Sequence, residues 1–188
     1  MKVYLIRHTA VDVPAGICYG QTDVPLRSTF EEEAKIVSEK LKGIQPDAAF
    51  SSPLSRCTQL ADYCGFSNVI LDNRLKELNF GDWEGTAWNK VDMSVWKTDW
   101  INPPALNGES FVQMYNRVAA FFDELKRSDF DTVFIFAHGG VVSCARVYFG
   151  QADINGAFKM KTEYGSINIF DLPFLETDVD PTHTQGSP

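Results

Sequence analysis

The run Thr132-Val133-Phe134-Ile135-Phe136 is continuously apolar after its first residue, and Ala137-His138-Gly139-Gly140 follows at once. A short run of this composition predicts a buried strand. The stretch from Gly140 to Phe149 reads as the helix after it. The rest of the chain alternates the same way. Val3 to Ile6 is a first short strand. Thr29 to Lys42 reads as a helix, with Thr29 and Glu32 at capping-box spacing and Phe30, Ala34, Val37 and Leu41 on one face. Ala48 to Phe50 is a second strand. Ser52-Pro53 then reads as a helix start, with Ser52 as N-cap and Pro53 in the first turn. That helix carries Leu54, Cys57, Leu60, Ala61 and Cys64, and Gly65 stops it. Val69 to Leu71 is a candidate third strand. Residues 80 to 108 look irregular and close on Pro103, Pro104 and Gly108. Ser110 with Gln113 opens a long helix whose apolar positions are Phe111, Tyr115, Val118, Phe122 and Leu125. Ile167 to Phe170 is a last strand. No internal repeat or low-complexity segment interrupts this order. Alternating strands and helices predict an α/β three-layer sandwich around a mainly parallel sheet.

Size and charge narrow the function classes. A chain of 188 residues predicts one domain, here 1–172, with a frayed tail over 173–188 that is rich in Pro, Asp, Thr and Gly. The net charge of −8 argues against nucleic acid as a partner, since phosphate backbones are bound mainly by Lys and Arg. A small anionic substrate stays open, because a pocket can be locally basic. Apolar runs such as Val133 to Ala137 fall far short of the roughly 20 residues a membrane span needs. Lys2 and Arg7 leave no room between them for a signal-peptide core. Cys18, Cys57, Cys64 and Cys144 form no C-x-x-C pair and read as reduced thiols in a cytoplasmic protein. Only three histidines occur and none are close in sequence, so no metal site is expected.

Ligands of such folds sit beyond the carboxyl ends of the strands. The first strand ends on Arg7-His8-Thr9, the strong strand on His138-Gly139-Gly140. Two histidines thus occupy equivalent places; His183 lies in the tail and receives no role. The glycine-rich helix start at Gly139 offers free N–H groups and a positive dipole end, which suits an anion. Arg56 falls in the first turn of the helix after the second strand, so a second guanidinium can face the same rim. Arginine suits phosphate because its fork donates two parallel hydrogen bonds. A carboxylate is the fourth element, in Lys76-Glu77-Leu78-Asn79-Phe80-Gly81-Asp82-Trp83-Glu84-Gly85. Physical reasoning alone leaves Glu77 and Glu84 as alternatives.

Four motifs stand in one order: Leu5-Ile6-Arg7-His8-Thr9, Ser51-Ser52-Pro53-Leu54-Ser55-Arg56, Glu77 to Gly85, and Phe136-Ala137-His138-Gly139-Gly140. Together they resemble the histidine phosphatase superfamily, the phosphoglycerate-mutase-like proteins. The resemblance covers residues 3 to about 170. It implies a phosphoglycerate-mutase-like fold, His8 as nucleophile, Arg7, Arg56, His138 and Gly139 as phosphate ligands, and Glu77, four residues before Gly81, as proton donor. It implies no cofactor and no metal, with a small phosphorylated metabolite as partner.

Cys18 to Leu26, with Phe80 to Gly85 and Asn107-Gly108-Glu109-Ser110, is most similar to α-ribazole 5′-phosphate phosphatases. That likeness places Tyr19, Gly20 and Gln21 on the substrate side of the pocket. Thr9 and Ala10 depart from the family's usual glycine and acidic residue, and both bear on substrate identity. Phe30, where a glycine is common, reads as a packing change. All four tryptophans lie between Trp83 and Trp100. They read as packing for a small insertion, or, for Trp88, Trp96 or Trp100, as a wall for an aromatic leaving group. Rival readings are a phosphoglycerate mutase, a broad-specificity phosphomonoesterase and a catalytically dead binding module. The last requires a lost catalytic residue, and none of His8, Arg7, Arg56, Glu77 or His138 is missing.

Overall fold

A computed structural model describes residues 1–173. One sheet holds β1 (Lys2–Arg7), β2 (Ala48–Ser51), β3 (Ile70–Leu71), β4 (Thr132–Ala137) and β5 (Ile167–Asp171) in the order β3-β2-β4-β1-β5. All neighbours are parallel except β5, which runs antiparallel to β1. The helices are α1 (Phe30–Leu41), α2 (Ser55–Tyr63), α3 (Ser94–Thr98), α4 (Phe111–Leu125), α5 (Gly139–Tyr148) and α6 (Ile154–Lys159).

The layers follow from the two-residue period of the strands. Val3, Leu5, Val133 and Ile135 join one core with Met114, Val118 and Phe122 of α4 and Val141 and Val142 of α5. Ile6, Phe134 and Phe136 join the opposite core with Ala34, Val37 and Leu41 of α1 and Cys57, Leu60 and Ala61 of α2. Each buried Val, Leu, Ile, Phe or Met side chain among these stabilises the fold by roughly 1.5–3 kcal/mol. The expected three-layer sandwich is thus observed.

Register sets the site. Arg7 pairs with Ala137, and the His8 N–H donates to the Ala137 carbonyl at 3.0 Å. The Ser52 N–H donates to the Phe136 carbonyl at 2.9 Å. His8, Ser52 and His138 therefore leave three adjacent strands, β1, β2 and β4, at one level.

Several local readings change. The Thr29–Glu32 capping box does not form. The Thr29 hydroxyl donates instead to Glu33 at 2.6 Å, and the other Glu33 oxygen accepts the Ala10 N–H at 2.8 Å. The second helix starts at Ser55, with Leu54 rather than Ser52 at its N-cap. Asp23, from a distant loop, accepts both the N–H (2.9 Å) and the hydroxyl (2.7 Å) of Ser55 and supplies the cap, while the Ser52 hydroxyl is held by His138. Ser110 and Gln113 do form the expected reciprocal box. Gly65 ends α2 with φ of +92°, a conformation suited to glycine. The third strand is two residues long, α5 starts at Gly139, and α6 has no counterpart in the sequence reading. Residues 80–108 contain α3 and two 3₁₀ turns, Gly81–Trp83 and Trp88–Lys90. Phe30 packs edge-on against Tyr63. Among the described residues no helix is long and apolar enough to cross a membrane. The tail expected over 173–188, and His183 within it, lie outside the described residues from residue 174 on.

Candidate active site

His8 is 2% exposed, and its Nδ1 lies 2.7 Å from the Thr9 carbonyl oxygen. A carbonyl can only accept, so Nδ1 carries the proton and Nε2 keeps a free lone pair. Burial, then the charges of Arg56 and Arg7, push its pKa down to about 3 against the opposing Thr9 hydrogen bond. The ring is neutral at physiological pH. Burial is the largest of these causes.

Both guanidiniums are anchored by backbone carbonyls. Arg7 donates to Thr162 and lies under the Tyr164 ring, 3.9 Å from its centre. Arg56 is fully buried and donates to Thr22 at 3.0 Å and Gly20 at 2.5 Å. Among the described residues neither forms an ion pair with a carboxylate. Among the described residues three buried side-chain polar atoms lack any partner: Arg7 Nε, Arg56 Nε and Thr9 Oγ1. All three belong to His8's chain neighbours or to the cations that act on it. Unmet buried donors around uncompensated charge call for an anion.

His138 is fully buried, with its ring centre 5.2 Å from that of His8. Its Nε2 lies 2.8 Å from the Ser52 hydroxyl. Burial, His8 and the arginines hold its pKa well below the usual imidazole range. Gly139 starts α5, and a Cβ there would stand 3.4 Å from the Arg7 guanidinium carbon.

Geometry separates the two candidate carboxylates. Glu84 accepts the N–H groups of Gln21 (2.9 Å), Thr22 (2.6 Å) and Phe80 (3.1 Å), and the Thr22 hydroxyl. Burial alone would raise its pKa, but those bonds outweigh it and lower it. Glu84 is a loop clamp. Glu77 faces the site: one oxygen accepts the Leu78 N–H at 3.0 Å and the other the Gly140 N–H at 3.1 Å.

A pocket of about 250 Å³ opens here. Arg7, His8, Tyr19, Glu77 and Gly140 line its polar side; Ile17, Leu78, Phe80, Trp88 and Phe158 line its apolar side. Arg56 and His138 are not on this lining but are buried against its floor residue His8. Tyr19 reaches the pocket, while Gly20 and Gln21 do not. Gly20 presses on the Glu77 loop, where a Cβ would meet the Leu78 carbonyl at 2.0 Å. The Gln21 side chain donates to the Glu77 carbonyl at 3.0 Å. Of the tryptophans only Trp88 lines the pocket. Trp96 donates to Pro103 at 3.0 Å, and Trp100 packs on Phe111 and Phe158.

Sequence reasoning misses Tyr164, whose hydroxyl lies 2.7 Å from that of Tyr19, because no motif surrounds it. It also misses Arg117, which donates to the Glu77 carbonyl at 3.0 Å. Its ion-pair partner Glu109 lies ahead of the Ser110 cap and outside α4, so no helix periodicity marks the pair.

Comparison with known proteins agrees with this geometry. The profile of the histidine phosphatase superfamily (branch 1) matches residues 3–174. An adenosylcobalamin/alpha-ribazole phosphatase of Salmonella typhimurium is 30% identical over 154 residues, covering 76% of each chain. Phosphoserine phosphatase 1 of Hydrogenobacter thermophilus is 28% identical over 151 residues, covering 73% of this chain and 71% of its own. The crystal structure of the alpha-ribazole phosphatase from Shigella flexneri shares the fold, with a TM-score of 0.80, 24% identity, and coverage of 91% of this chain and 90% of that one. A buried neutral histidine between two unpaired arginines, on this sheet and in this motif order, has one reading: the chain belongs to the histidine phosphatase superfamily, branch 1, and is a hydrolase of that group.

Proposed function

We propose that the chain hydrolyses phosphomonoesters through a phosphohistidine on His8, and that its substrate is α-ribazole 5′-phosphate, released as α-ribazole in cobalamin assembly. The observation that carries the mechanism is His8 itself, neutral, with Nδ1 committed to Thr9 and Nε2 free.

The steps follow from that arrangement. The substrate phosphoryl group binds Arg7, Arg56, His138 and the α5 N-terminus at Gly139, meeting the unpartnered guanidinium donors. His8 Nε2 attacks phosphorus in line; the N–P bond forms as the P–O ester bond breaks. The carboxylic acid form of Glu77 gives its proton to the leaving oxygen. Water then enters, Glu77 takes a proton from it, and the hydroxide attacks phosphorus. The N–P bond breaks and returns the lone pair to Nε2, with inorganic phosphate as product. The two guanidiniums stabilise the charge on the transferring group throughout.

The apolar half of the pocket supports an aromatic leaving group. Trp88 packs edge-on with Phe80 at 5.1 Å, so an indole face is held in place at the mouth. A benzimidazole base gains from stacking there. Serine phosphate has nothing to place against that wall.

The deciding experiment measures phosphate release from α-ribazole 5′-phosphate, 3-phosphoglycerate and p-nitrophenyl phosphate, with EDTA present, for wild type, His8→Ala and Trp88→Ala. The proposal expects kcat/KM to favour α-ribazole phosphate by orders of magnitude, His8→Ala to be inactive, and Trp88→Ala to lose the preference. Comparable rates on all three substrates would leave the mechanism and remove the substrate. Activity in His8→Ala, or its loss to EDTA, would remove the phosphohistidine.

A further inference from the structure

We infer that Arg117, locked to Glu109, is a positioning residue for Glu77: it holds the irregular backbone that carries the proton donor at a fixed distance from the leaving group. The inference rests on the reading of Glu77 given above.

All five guanidinium N–H groups of Arg117 are used. Nε donates to one Glu109 oxygen at 3.0 Å and Nη2 to the other at 2.6 Å, a bidentate pair. Nη1 donates to the carbonyls of Arg74 (2.6 Å) and Lys76 (2.7 Å), and Nη2 also to that of Glu77 (3.0 Å). Glu109 extends the frame: its carboxylate accepts the Asn79 N–H at 2.9 Å, and its own N–H donates to the Asn79 carbonyl at 2.9 Å. One ion pair therefore grips the chain at residues 74, 76, 77 and 79. Residues 76 to 80 belong to no helix or strand, so these backbone groups have no regular partners of their own.

The pair is itself rigid. Its side chains are 19% and 16% exposed. Glu109 directly precedes the capping box that starts α4, and Arg117 sits two turns into that helix. Lysine cannot replace this fork, having three donors on a flexible stem and no planar geometry. A general acid acts only within hydrogen-bond reach of the oxygen it protonates, and a displacement near 1 Å costs about 100-fold in rate.

Position and overall stability are told apart by leaving-group dependence. Benzyl phosphate releases an alkoxide that must be protonated; p-nitrophenyl phosphate releases a stabilised phenolate that needs no proton. The ratio of kcat/KM for the two substrates is independent of how much of a preparation is folded. It is measured on wild type, Glu77→Gln, Arg117→Met, Arg117→Lys and Glu109→Gln in the full chain. Glu77→Gln is expected to lower the benzyl-to-nitrophenyl ratio by about 100-fold. Arg117→Met is expected to lower it by at least about tenfold, with Arg117→Lys and Glu109→Gln between it and wild type. Should Arg117→Met not accumulate, Arg117→Lys and Glu109→Gln carry the same comparison. A wild-type ratio in the Arg117 and Glu109 variants, beside a lowered one in Glu77→Gln, overturns this inference and leaves the mechanism standing. An unchanged ratio in Glu77→Gln overturns the role of Glu77 itself.

Discussion

The Arg7 guanidinium stands over the Tyr164 ring, with its carbon 3.9 Å from the ring centre. The same ring centre is 5.5 Å from that of His8. Tyr164 thus packs on a cation of the proposed phosphate site. Stacking of this kind contributes about 1 kcal/mol at a partly exposed site. Tyr164→Leu is expected to weaken inhibition by inorganic phosphate by roughly fivefold, while Tyr164→Phe, which keeps the ring, stays near wild type. Inhibition constants against p-nitrophenyl phosphate check both.

Acid should unfold this protein earlier than its composition suggests. The native pKa of His8 is about 3 against an ordinary 6.5, and that of His138 is also lowered. Between those values the unfolded chain binds protons that the native chain does not. Stability therefore rises with pH across this window and falls on acidification from 6.5 towards 3, with His138 acting in the same direction. Urea unfolding from pH 7.5 to 4.5 measures the slope. His8→Asn should flatten it.

Glu77 and Glu84 should fail in opposite ways. Glu84→Ala strands the N–H groups of Gln21, Thr22 and Phe80, so a stability loss of about 3 kcal/mol is expected in urea. Glu77→Gln should stay within about 1 kcal/mol of wild type while losing activity on alkyl phosphates. Equal stability losses in the two variants would contradict this division.

Gly140 is required by contact rather than by conformation. A Cβ there would stand 2.2 Å from Glu77 Oε1 and 2.9 Å from the end of Met114. Gly140→Ala should displace the Glu77 carboxyl and lower kcat/KM for benzyl phosphate by roughly 100-fold. Alanine is a better helix former than glycine, so thermal stability should change little beside that. Paired rate and melting measurements test it.

The sheet was legible because its strands announce themselves. Val3 to Ile6 and Thr132 to Phe136 are apolar on both faces, and each ends on a motif histidine. Helix starts were read less well. Ser52 carries the right cap chemistry, yet its hydroxyl serves His138 and the Leu54 N–H just ahead of the helix, and Asp23 caps α2 from 32 residues away. Only tertiary structure can reveal such a cap. The choice between Glu77 and Glu84 was closed to local reasoning for the same cause, since what distinguishes them is which loop each faces. Tyr164 stayed hidden because nothing in its neighbours marks it. Thr9 remains unpartnered at its hydroxyl, and the structure gives no reason for it in place of glycine.

The pairing of residues 2–7 with 132–137 has a consequence for synthesis. His8 is made more than a hundred residues before its partner strand β4 and His138. A nascent chain holds His8 as an ordinary solvated imidazole, protonating in the usual range, with no second histidine beside it. Contacts so distant along the chain also form slowly. The buried pair of His8 and His138 therefore exists only once β4 has inserted between β1 and β2.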